Sequence, residues 1–113
     1  MRKGEFANEA DRILRKYLPA TVREWASYMG CSYGYFRHRY QQITSIPAGE
    51  RLRDVRWLKI KEFLREKPYA KAHETAMEFG FPNDKALGKF LKRNYSITYP
   101  QLRKLIADGT DQT

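Results

Sequence analysis

Two short groups of side chains have the types and spacing to grip or read an anionic polymer. The first is Ser32, Tyr33, Gly34, Arg37, His38 and Arg39; the second is Asn83, Asp84, Lys85, Gly88, Lys89, Lys92 and Arg93. Arg37 carries a planar fork of donors that matches the O6 and N7 acceptors of guanine, and the same fork can clamp a phosphate. His38 can donate or accept at a base edge, or stand idle on a surface. Lys85 and Lys89 are four apart and so share one helix face, an arrangement suited to phosphate, to guanine, or to plain solvated charge. Asp84 can accept from cytosine N4 but repels phosphate, and its other natural place is the start of a helix. Arg39, Lys92 and Arg93 suit backbone-positioning contacts.

Charge supports an anionic partner without naming it. Among 113 residues, 22 Lys and Arg outweigh 13 Asp and Glu, a net +9. Basic domains attract polyanions, and duplex DNA is the densest common one. RNA and anionic lipid carry the same sign. With 42% hydrophobic and 14% aromatic residues, the chain can bury a core, which argues against disorder. No apolar run approaches the length of a membrane span, and Met1 to Glu5 is polar and leads into no signal-peptide core, so a cytoplasmic location is expected. Cys31 is the single cysteine, which rules out an internal disulfide and a cysteine-based metal site; it is expected to be a small half-buried residue. Trp25 and Trp57 sit in helical patterns and are expected to pack rather than stack on bases.

These side chains need helices to position them, and the punctuation reads as helical throughout. A first helix is predicted over about Asn8 to Leu18, with Ile13, Leu14 and Tyr17 at helical spacing and Pro19 ending it. Thr21-Val-Arg-Glu24 has the form of a capping box, followed by the stripe Val22, Trp25, Ala26 and Met29, then Gly30 as C-cap. Ser32 can cap a helix over about Tyr33 to Gln42, with Phe36, Tyr40 and Ile43 inward. The longest helix is predicted over Ala48 to Glu66, burying Leu52, Val55, Ile60, Phe63 and Leu64, and Pro68 stops it. Lys71 to Phe79 forms the next, ending at Gly80. Asn83 can cap one running to about Tyr95, with Leu87 and Leu91 inward and Lys85, Lys89 and Lys92 on other faces. Thr98-Tyr-Pro-Gln101 is again a capping-box pattern, opening a helix with Leu102, Leu105 and Ile106 that ends before Gly109. Thr110 to Thr113 is a tail expected to fray. Strand alternation is not found.

A repeat runs through this pattern. Trp25-Ala-Ser-Tyr-Met-Gly and Thr75-Ala-Met-Glu-Phe-Gly place Ala26 and Ala76 fifty apart, and Gly30 and Gly80 likewise; the second turn is one residue longer. Each unit fits a helix-turn-helix, in which the alanine permits a close crossing and the glycine a tight turn, while the second helix presents its outer face to a groove. An ordinary helical hairpin shares this form, but two with the same spacing and basic outer faces favour DNA. The predicted architecture is all-α with about seven helices: a first subdomain over 1–47, a linker helix over 48–67, a second subdomain over 68–107 and a tail over 108–113. A linker helix of about 28 Å is compatible with groove faces about 34 Å apart.

The sequence resembles the AraC/XylS family of bacterial transcription regulators from about Asn8 to Arg103. In the first unit the match runs through Trp25-Ala26, Gly30-Cys-Ser32 and Tyr35-Phe36-Arg-His-Arg-Tyr40. In the second it runs through Glu74, Ala76, Phe79-Gly80-Phe81, Leu87, Leu91-Lys-Arg-Asn-Tyr95-Ser-Ile-Thr98 and Arg103. The resemblance implies two three-helix subdomains with a recognition helix each. It places Gly34, Arg37 and His38, and Asp84, Lys85, Gly88 and Lys89, at base-facing positions. It also implies transcription activation through contact with RNA polymerase. The chain has no room for an effector domain, so it is similar to the small stand-alone MarA/SoxS type or to an excised C-terminal part. Pro47 and Pro100 are each displaced by one from the family's prolines. Ala86, Leu102 and Arg51 stand where the family has larger or aromatic residues.

The expected function is a sequence-specific, bipartite binder of double-stranded DNA, monomeric on its site, without cofactor or metal. A protein-interaction module of the same fold, acting on RNA polymerase or a partner regulator, is the alternative; Gly34, Asp84 and Gly88 leave the reading faces sparsely equipped. Enzyme activity is not expected, because His38 and His73 have no nucleophile or carboxylate at a catalytic spacing and no phosphate loop is present.

Overall fold

The computed structural model describes residues 2–109, and these form seven α-helices with no strand among them. They are α1 (Lys3–Tyr17), α2 (Val22–Tyr28), α3 (Tyr33–Thr44), α4 (Ala48–Glu66), α5 (Ala72–Glu78), α6 (Asp84–Tyr95) and α7 (Tyr99–Ala107). The predicted tail residues Thr110 to Thr113 lie outside the described residues. Among those described, no helix is long and apolar enough to cross a membrane.

Helix starts follow side-chain chemistry. Thr21, Ser32, Asn83 and Thr98 each accept from a backbone N–H three residues on. Gln101 completes a reciprocal box at α7 by accepting from the Thr98 N–H at 2.9 Å. Lysine has no acceptor, so α5 has only the return half, Glu74 accepting from the Lys71 N–H at 3.3 Å. Gly30 and Gly80 take positive φ, 71° and 74°, as helix-ending glycines should.

Three differences from the sequence expectation have physical causes. Helix α1 begins five residues before Asn8, because Phe6 and Ala10 lie on the same face as Ile13 and Leu14 and all four are buried. Tyr17 leaves that face: it is 47% exposed and stacks on Tyr28 at 4.8 Å. Helix α3 continues to Thr44, whose hydroxyl donates to the Tyr40 carbonyl at 2.8 Å and accepts from the Ile46 N–H at 3.2 Å.

The chain divides into two units between Arg56 and Trp57, inside α4. Ala48, Leu52 and Val55 from the first part of α4 join Phe6, Ala10, Ile13 and Leu14 of α1, Trp25 and Ala26 of α2, and Phe36 and Tyr40 of α3 in one core. The Trp25 indole is wholly buried, donates to the Ala10 carbonyl at 3.0 Å, and packs on Phe36 and Tyr40. Asp11 and Arg51 tie α1 to α4 at 2.9 Å. In the second unit, Ile60 and Leu64 from the rest of α4 join Ala70, Ala76, Leu87, Leu91, Tyr99 and Leu102. Here the Tyr99 hydroxyl donates to the Ala70 carbonyl at 2.6 Å and meets the buried Thr75 hydroxyl at 2.8 Å. Lys61 is fully buried, its ammonium 4.8 Å from the Trp57 ring, which stacks on Tyr95.

The fifty-residue repeat is structural. Residues 21–31 and 71–81 show the same order of exposed, half-buried and buried positions. Past the turns the offset becomes fifty-one: Phe36 and Tyr40 correspond to Leu87 and Leu91, and Ser45 to Ser96, both with left-handed φ. Where one core places Trp25 and Ala48, the other places Thr75 and Tyr99. The bulky aromatic has moved to a different helix, and the overall filling is kept.

Candidate nucleic-acid interface

Each unit offers the outer face of the second helix of its hairpin, α3 after α2 and α6 after α5. Burial of Phe36 and Tyr40 turns Gly34, Arg37, His38 and Gln41 outward on α3, and all four are exposed. Burial of Leu87 and Leu91 does the same for Lys85, Lys89 and Lys92 on α6, with Arg93 beside them, all exposed. The offset of fifty-one pairs Gly34 with Lys85, Arg37 with Gly88, His38 with Lys89 and Gln41 with Lys92. The two faces therefore occupy equivalent positions but differ in chemistry: donors and acceptors on α3, ammonium groups on α6.

Ser32 and Asn83 are exposed, but their side-chain oxygens are engaged as caps at 3.3 and 2.8 Å. Asp84 is exposed in the first turn of α6, next to that cap, where a carboxylate complements the helix dipole. A Cβ added at Gly34 or Gly88 would meet nothing within 4 Å, so packing does not require glycine at either place. Their bare backbone leaves each face open to close approach. Arg39 is half-buried, to the side of the α3 face, with its guanidinium 3.4 Å from the Gln42 amide oxygen.

Tyr33 is half-buried and central to the first face. The Arg37 guanidinium donates to its hydroxyl at 3.4 Å and lies 5.5 Å from its ring centre; the Arg23 guanidinium, from α2, lies 4.3 Å from the same centre. A depression of about 290 Å³ adjoins them, lined by Val22, Tyr33, Arg37, Gln41, Pro47, Ala48 and Gly49. Gln41 also lines a second depression with His38 and Gln42. Sequence reading missed Arg23 and Gln41. Gln41 was detectable, since it lies four residues beyond Arg37. Arg23 was not, because it sits on the preceding helix and reaches the face only through packing. Cys31 is half-buried, its thiol 3.6 Å from the Met29 carbonyl. Among the described residues no three His, Cys, Asp or Glu side chains gather where they could hold a metal.

Fold and site together define a class: an all-helical protein whose two units each present a glycine-opened, donor-rich helix face. Comparison with family models, curated proteins and solved structures found no match to this chain.

Proposed function

We propose that this chain is a sequence-specific double-stranded DNA-binding transcription regulator that lays α3 and α6 into successive major grooves of a site with two half-sites. The observation that carries the reading is the recurrence, at equivalent positions of both units, of an exposed helix face bearing hydrogen-bond donors, Arg37 and His38 on α3 and Lys85, Lys89 and Lys92 on α6. Net charge and the resemblance to AraC/XylS regulators support it. On this reading the protein is monomeric on its site in the bacterial cytoplasm, and the resemblance implies that it activates by touching RNA polymerase. Arg37 reads a base edge and Lys92 holds phosphate.

Selection of bound fragments from genomic DNA, followed by titration of the winners at two salt concentrations, tests this. Two enriched half-sites about one helical turn apart are expected, with affinity falling steeply as salt rises. Arg37→Ala is expected to relax preference at one base pair, and Lys92→Ala to weaken all sequences alike. Absence of duplex binding at low salt would overturn the proposal.

One observation favours the second reading, a protein-interaction module. Tyr69 is 86% exposed and borders a depression of about 300 Å³ with Pro68, Pro100 and Ala107, rimmed by Arg103 and Lys104. Stable co-purification of polymerase without duplex binding would favour it.

A further inference from the structure

The ring of Tyr33 is shared by two guanidiniums from different helices, Arg23 at 4.3 Å and Arg37 at 5.5 Å. Both distances are within cation–π range. Among the described residues neither guanidinium has a carboxylate within ion-pair reach, so both keep their charge for an outside partner. A free arginine on a helix surface loses rotamer freedom when it binds; one already laid along a ring loses less. The Tyr33 hydroxyl adds direction, since it accepts from the Arg37 guanidinium at 3.4 Å, and both residues line the depression that Gln41 also lines.

Resting on the reading of α3 as a DNA-facing helix, we propose that Tyr33 is the positioning residue of the first reader: it holds Arg37 toward a guanine edge and seats Arg23 as a phosphate anchor. Base reading and backbone gripping are thereby coupled through one side chain. The arrangement does not recur at the equivalent positions of the second unit, which hold His73, Asp84 and Gly88.

The test uses the full chain, the duplex it selects from a randomised pool, and that duplex with each base pair changed in turn. Wild type, Tyr33→Phe, Tyr33→Ala, Arg23→Ala and Arg37→Ala are titrated at two salt concentrations, with thermal unfolding to check folding. Tyr33→Phe keeps the ring and loses the hydroxyl, so discrimination at the base pair read by Arg37 is expected to fall roughly three- to tenfold, with the salt slope unchanged. Arg23→Ala and Tyr33→Ala are both expected to reduce the salt slope by about one. In the Arg37→Ala background, Tyr33→Phe is expected to cost nothing more at that base pair, a coupling that a purely structural role would not produce. A wild-type motif that both Tyr33 variants leave intact, or weaken equally at every base pair, would overturn this inference alone. Failure of the wild type to bind any duplex would overturn the DNA reading and this inference with it.

Discussion

Asp11 accepts from Arg51, forty residues away, and from Arg15, both at 2.9 Å. Burial works against its charge, but the two guanidiniums outweigh burial and hold the carboxyl below its ordinary value of 3.8. Its side chain is 39% exposed, so solvent screening limits the pair to about 1 kcal/mol or less. A depressed folded-state value means that this stabilisation is present above the unfolded value and is lost as pH falls through the lower folded one. Asp11→Asn is therefore expected to destabilise at about pH 7, with the gap from wild type closing below about pH 4, read by urea titration. A gap independent of pH would assign Asp11 to packing. Residue-scale features of this kind were the least legible in the sequence. Nothing local marks Asp11 and Arg51 as partners, and Lys61 looks like any surface lysine. Its one local signal is Trp57, four residues earlier, whose ring the buried ammonium approaches. Arg37 and Lys85 were legible because their exposure follows from the burial of Phe36 and Leu87 beside them.

Helix boundaries were legible where a side chain makes them and hidden where packing does. Thr21, Ser32, Asn83 and Thr98 cap their helices as the sequence indicated, and α4 runs over the range expected. At α2 only the forward half of the expected box forms, Thr21 accepting from the Glu24 N–H without a return bond to the Glu24 carboxylate. The early start of α1 depends on burial of Phe6 against other helices. Leu18, Ser45 and Ser96 take left-handed φ with no glycine to announce it. Lys71 is the weak cap: it stands where Thr21 stands in the first unit, and Glu74 already accepts from its backbone N–H. Lys71→Thr is expected to complete the box and add about 1 kcal/mol in urea titration. No gain would show that the α5 start is set by packing alone. Gly88, inside α6, separates folding from function in the opposite direction. Gly88→Ala meets no neighbour within 4 Å, so it is expected to raise stability by about 0.5–1 kcal/mol. If the α6 backbone approaches DNA as proposed, the same variant loses affinity. A more stable variant with unchanged affinity would remove Gly88 from the interface.

At the scale of the whole molecule, a net +9 would attract any polyanion, so what matters is whether its placement matters. Lys85, Lys89 and Lys92 lie together on the outer side of α6, while Lys3 and Lys16 of α1 and Lys104 of α7 lie on other helices; all six are exposed. Converting either trio to alanine removes the same three charges. If binding were a response to net charge, both triple variants would weaken it alike. If α6 meets phosphates, each of its lysines releases counterions on binding. Their loss is then expected to flatten the dependence of log affinity on log salt by about 2.7, while the second trio leaves the slope nearly unchanged. Titration of the selected duplex and a scrambled one at four salt concentrations separates the cases. Equal flattening by both trios would reduce the interface to diffuse attraction. A selective effect of the α6 trio, on both duplexes alike, would place the second unit's backbone contacts on that helix.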